Sequence, residues 1–147
     1  MAESAKVYSK MHLNALKKLI SDLSASGSTI KVSLHTSSYT PNQDTHESHA
    51  DLTNEVASGN GYTTGGVTLA NKALTASGKV TTFDADDVSW ANSSITARYA
   101  VIYDATPAAD ADKKLLAYVD FGADKTSSSG TFQITWNASG IFTVTVA

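Results

Sequence analysis

The segment spanning residues 86–104, DDVSWANSSITARYAVIYD, sets the tightest limit on what this chain can become. Val88 and Trp90 lie two apart, Ala91-Asn92-Ser93-Ser94 supplies turn chemistry, and Ile95, Ala97, Tyr99, Val101 and Tyr103 then repeat at period two. In outline this is a pair of strands joined by a turn. The alternates Ala100 and Ile102 are apolar as well. A strand that is apolar on both faces is covered on both, so this one is expected at the centre of a sheet, between two layers. Arg98 is the one charge inside the run, and an unpaired buried guanidinium is costly. A structural ion pair with Asp86, Asp87 or Asp120 is the favoured reading, because no nucleophile or acid–base partner accompanies the arginine.

Around that segment the chain of 147 residues fits one domain able to bury a sizeable core. Residues 1–8 are expected as an N-terminal arm and residues 9–147 as a single domain. Over residues 9–23, Leu13, Leu16, Leu19, Ile20 and Leu23 recur at helical spacing opposite Lys10, Lys17, Lys18 and Asp22. They predict one amphipathic helix of about four turns laid across a sheet. Residues 29–36, TIKVSLHT, alternate Ile30, Val32 and Leu34 with Lys31, Ser33 and His35, predicting a strand with one wet face. The stretch 45–56 is polar, with one or two helical turns and with Leu52 and Val56 turned inward. Residues 57–66, ASGNGYTTGG, predict a long irregular loop of the kind that meets partners.

Further strands are predicted over residues 67–75, 79–83 and 115–121, and a closing hairpin pairs Phe132, Ile134 and Trp136 with Phe142, Val144 and Val146. Seven or eight short strands, and no regular helices between the later ones, point to a mainly β fold: an antiparallel β-sandwich, immunoglobulin-like or jelly-roll-like, with one N-terminal amphipathic helix.

There is no cysteine, which removes disulfides, thiolate metal sites and cysteine nucleophiles. A net charge of −3 with no basic stripe gives no footprint for nucleic acid. No apolar run approaches the ~20 residues of a membrane span, and the first residues lack the apolar core of a signal peptide.

His46, Glu47 and His49 with Asp44 and Asp51 form the metal-like cluster, since histidines three apart meet on one side of a helical turn. The commoner reading is a solvated polar face, and the framework of a known metal motif is missing. Asp84, Asp86 and Asp87, and separately Asp104, Asp110 and Asp112, lack the glycine and closing glutamate of a calcium loop. Serines and four histidines allow a triad arithmetically, but no G-x-S-x-G elbow supports one. Trp90 and Trp136, with Tyr39, Tyr62, Tyr99, Tyr103 and Tyr118, could build a sugar-stacking platform; core packing is the default for residues in apolar alternations. The expectation is therefore a protein without catalytic, cofactor or metal residues.

Taken together, IKVSLHTSSYTPNQDTHESHADLTNEVASGNGYTTGGVTLAN, FDADDVSWANSSITARYAVIYD, LLAYVDFG and FQITWNASGIFTVTVA resemble a family of small virion structural proteins of tailed bacteriophages, over residues 6–147. The chain departs from the usual pattern at residues 17–28, where a longer Ser-rich junction precedes the first strand. The resemblance implies a component of a phage particle and supplies no catalytic residues. The expected role is a capsid cement or decoration protein, a homotrimer on the capsid exterior that is made in the host cytoplasm and braces neighbouring copies of the major capsid protein. A tail, neck or fibre component is the alternative within the virion, and a carbohydrate-binding module the alternative outside it. The arm and the glycine-rich loop are the segments expected to reach the partner.

Overall fold

In the computed structural model, which describes residues 3–146, the chain is mainly β with antiparallel sheets and one short N-terminal helix. The strands are β1 (Ser4–Val7), β2 (Ile30–His35), β3 (Val67–Thr68), β4 (Ala73–Ser77), β5 (Val80–Asp84), β6 (Val88–Ser93), β7 (Thr96–Asp104), β8 (Leu115–Thr126), β9 (Gly130–Ile134) and β10 (Phe142–Thr145). The helix α1 covers Met11–Leu16. A five-stranded sheet runs β1-β8-β7-β2-β3, and the smaller sheets run β10-β5-β4 and β6-β9. As the two-sided apolar pattern requires, β7 lies at the centre of the large sheet, hydrogen-bonded to β2 and β8.

The expected strand pair at residues 86–104 is instead a corner. β6 pairs with β9 and β7 with β8, so residues 88–104 and 115–134 form one long antiparallel ribbon that bends where β6 passes into β7 and β8 into β9. Small hydroxyl side chains make the bend possible, because they hydrogen-bond backbone that the ladder has let go. Ser93 Oγ donates to Trp90 O at 2.8 Å and sits 2.7 Å from Ser127 Oγ. Ile95 N–H donates to that Ser127 oxygen at 3.1 Å, and Ser127 N–H returns a bond to Ile95 O at 2.9 Å. Strands that change sheet through such bends build the corners of sandwiches.

The bend lays the outer half of the ribbon over one face of the large sheet, giving a sandwich-like arrangement. Ile30, Val32, Leu34, Ala100 and Ile102 of that face meet Phe83, Val88, Trp90, Phe132 and Ile134 from the opposing strands. Each large side chain buried there contributes about 1.5–3 kcal/mol of transfer free energy.

The opposite face of β2 was expected to be wet, and it is not: Ser33 and His35 are fully buried. Residues 36–66 fold back over it, and Tyr39 joins Tyr8, Val101, Tyr103, Leu115 and Tyr118 in a second apolar cluster. Ser33 and His35 can be buried here because they bond each other and His35 also bonds Thr53 O, which alternation alone does not reveal.

At the end of this face Arg98 meets Asp120, one of its three candidate partners: Nε donates to Oδ1 at 2.5 Å and Nη2 to Oδ2 at 3.2 Å. The Arg98 bonds, with a further one from Gly122 N–H, hold the Asp120 carboxyl below the usual carboxylate range. A depressed folded-state pKa stabilises the fold above the unfolded value near ~3.9 and loses that contribution as pH falls through the folded value. Melting temperatures of wild type and Asp120→Asn measured against pH should therefore differ by a constant amount above about pH 5 and converge below about pH 4.

Several boundaries depart from the sequence expectation. Of the expected arm, Ser4–Val7 forms β1, paired with Ala117–Asp120 of β8, while residues 1–2 lie outside the described residues. The helix is six residues rather than four turns, and it turns Met11 and Asn14 inward while Leu13, Leu16 and Leu19 stay exposed. β9 and β10 do not form the expected hairpin: β9 pairs with β6, and β10 with β5. β8 continues to Thr126 by absorbing Gly122, φ +77°, at an irregularity in the ladder.

Candidate functional site

The metal-like cluster is not assembled. Tyr39 Oη and Asn42 N–H both donate to His46 Nδ1, at 2.9 and 3.4 Å, and Tyr39 in turn lies 3.1 Å from Tyr8 Oη. His49 packs its ring 4.6 Å from that of Tyr103, with Nδ1 3.5 Å from Asp110. Glu47 pairs with Lys10 and Lys114, each at 3.5 Å. Asp51 accepts from the backbone N–H groups of Glu47 and Ser48, both at 2.9 Å, reaching back to the N-cap Ser48 in the capping box of a single 3₁₀ turn at His49–Asp51. Asp44 accepts from Ser9 Oγ at 2.7 Å. No three metal-ligating side chains converge among the described residues.

Ser33 and His35 form the one close serine–histidine pair among the described residues, with Oγ 2.9 Å from Nε2. His35 Nδ1 lies 2.8 Å from Thr53 O; a carbonyl can only accept, so Nδ1 carries the proton and Nε2 receives the serine hydroxyl. Both residues are sealed under the 36–66 segment, and burial holds the imidazole below its ordinary pKa. The pair fastens this layer from beneath.

The glycine-rich segment is likewise held to the body. Tyr62 is buried, its hydroxyl donates to Glu55 Oε1 at 2.7 Å, and it accepts from Leu34 N–H at 2.9 Å. Gly65 N–H adds a 2.6 Å bond to the same carboxylate oxygen. Tyr62→Phe leaves the Leu34 N–H and Glu55 without that partner. A loss of about 1–3 kcal/mol, read by urea unfolding, is expected.

What the fold leaves open is a groove of about 600 Å³ between its layers. Ser4 and Ala5 of β1, Val119 and Phe121 of β8, and Thr131, Phe132, Gln133 and Ile134 of β9 line it, and Trp136 and Ile141 extend it. Successive residues of a strand point to opposite faces, so a groove touching four in a row follows the strand's edge. Among the described residues β9 pairs only with β6 and β1 only with β8, so each lip carries a strand edge unpaired by them. One end carries the Glu3–Lys125 ion pair at 3.3 Å. Trp136 is half-buried here, its indole N–H donating to Asp86 O at 2.9 Å, whereas Trp90 is buried in the core.

Sequence reasoning missed this groove, because it assigned β9 to a hairpin with β10, which would have closed the edge. The visible signal was the polar alternation Thr131, Gln133, Thr135 along an otherwise apolar strand. Compared with known proteins, the chain matches no family model, no curated protein and no solved structure.

Proposed function

We propose that this protein is a structural component of a phage capsid, a homotrimeric decoration protein on the capsid exterior that grips an extended segment of the major capsid protein. The observation that carries this reading is the groove lipped by the free edges of β1 and β9. An extended peptide gains affinity by adding to such an edge through main-chain hydrogen bonds, with alternate side chains seated in pockets. Phe121, Phe132 and Trp136 supply apolar pockets, and Thr131 and Gln133 supply polar contacts. The resemblance of the sequence motifs to phage virion proteins supplies the identity of the partner. A domain that binds only the assembled shell stabilises that shell by mass action.

Co-sedimentation with purified expanded capsids tests the reading. Wild type should pellet saturably, and Thr131→Trp, which fills the groove from an exposed position, should bind at least about tenfold more weakly. Wild type remaining in the supernatant, or recovery only with tails, overturns the proposal.

A further inference from the structure

β4 is an edge left without a guard. Among the described residues it pairs only with β5, and each of its five residues is exposed. Sheet edges are ordinarily blunted by a lysine, a proline or a bulge, because their free N–H and C=O groups template pairing with another chain. β4 reads Ala-Leu-Thr-Ala-Ser, and its ladder with β5 runs without a shift. β10, the other edge of the same sheet, alternates half-buried and exposed residues.

The groups that β4 offers follow from the bonds of its neighbour. Ile141 N–H donates to Phe83 O and Val146 N–H to Lys79 O, so Phe83 and Lys79 turn their carbonyls toward β10. Successive residues of a strand present their backbone groups to opposite sides, so Val80, Thr82 and Asp84 turn theirs toward β4. Their partners Ser77, Thr75 and Ala73 are thereby engaged, and Leu74 and Ala76 are left with N–H and C=O pointing outward. Leu74 stands opposite the fully buried Phe83, yet it is itself 44% exposed, because no strand flanks it on the outer side.

The occupant that fits this edge is the same strand of another copy. Turned antiparallel about a twofold axis at Thr75, β4 sets Leu74 of one copy opposite Ala76 of the other, so the outward groups meet donor to acceptor in both directions. Thr75 then faces Thr75, a favourable cross-strand pair, and Ala73 faces Ser77. No charge lies within the paired segment. Just beyond its ends, Lys72 falls opposite Gly78, which has no side chain. Lys79 falls opposite Asn71, whose amide donates to Asp86 at 2.6 Å, so each end brings a lysine toward a carboxylate of the other copy.

We infer that β4 pairs edge to edge with β4 of a second copy of this chain, joining two three-stranded sheets into one continuous sheet with Thr75 on the axis. The contact closes at two copies, so it is separate from the threefold contact of the proposed trimer and joins one trimer to another. It uses an edge other than the β1 and β9 lips and stands whatever their groove binds.

Because the chain has no cysteine, single introduced cysteines report the register. Opposed residues whose backbone groups turn away from each other lie about 4.5 Å apart between Cα atoms, within reach of a disulfide. With oxidised glutathione, Thr75→Cys should give a covalent dimer on non-reducing denaturing gels at least about tenfold faster than Ser77→Cys, because pairing raises the effective concentration of the thiols. In the Ser77→Cys pair the two cysteines are offset by about 13 Å along the strands. Ala73→Cys and Ser77→Cys chains, slow alone, should link to each other when mixed. Adding Ala76→Pro to Thr75→Cys should abolish the linkage with little change in melting temperature, since the N–H it removes points away from β5. The gel reads the covalent pair whether or not the chain is also a trimer. Thr75→Cys that stays unlinked, or links no faster than Ser77→Cys, overturns the inference, and so does linkage that survives Ala76→Pro.

Discussion

Replacing Gly66 by alanine is expected to destabilise the protein by about 4 kcal/mol, lowering the melting temperature by roughly 10 °C or more. Two independent effects act at this one position. Its φ of +75° lies in the left-handed region that side-chain-bearing residues rarely adopt. A Cβ there would also stand 1.8 Å from Val32 O and 2.5 Å from the Val32 carbonyl carbon. Those are backbone atoms of β2, which cannot swing aside like a flexible side chain. The residue must come this close because β3, starting at Val67, pairs directly with Val32 and Lys31. Differential scanning calorimetry of Gly66→Ala, with Gly27→Ala as a control at a position with no heavy atom within 4 Å of the added Cβ, reads the difference.

Trp90→Ala is the second large effect, about 3–5 kcal/mol by denaturant unfolding. The indole is 7% exposed, paired across the ladder with Phe132 at 5.9 Å between ring centroids and 6.0 Å from Tyr62. It lies on the outer half of the bent ribbon, between the corner and the loop that Tyr62 anchors. Removing it opens a cavity where the two layers meet, and the corner's hydrogen bonds prevent the surrounding structure from closing over it. Trp136→Ala, at a half-buried ring by the groove, should cost less.

The character of the strands was legible because alternation is local. The two-sided apolar pattern of residues 96–104 correctly placed β7 at the sheet centre, and Arg98 found its carboxylate in Asp120. Pairing was less legible. Ser93 and Ser94 read as ordinary turn residues, and nothing local distinguishes a hairpin turn from a bend that carries two strands into another layer. The helix was misjudged for a related reason: the leucine spacing reads as one four-turn amphipathic helix, whereas α1 ends at Leu16, with Leu13, Leu16 and Leu19 exposed and Leu23 buried.

The candidate site suffered most from these limits. His46, His49 and Asp51 attract attention as residue types, yet His46 is bonded to Tyr39 and Asn42, Asp51 to the backbone of Glu47 and Ser48, and the His49 ring packs on Tyr103. Thr131, Phe132, Gln133 and Ser4 are among the residues lining the groove and form no chemical motif; their polar alternation marks an exposed strand, and the pairing of β9 with β6 shows that an edge is left open. A site built from backbone edges is invisible to motif reading, because its donors and acceptors are the same in every residue.

The most direct measurement is a single-particle reconstruction of expanded capsids saturated with this protein. Density for an extended capsid-protein segment should run along β9, hydrogen-bonded to its free edge and lying between it and β1. Bound protein with an empty groove, or density for the protein only at the tail or neck, would contradict the proposed mode of attachment.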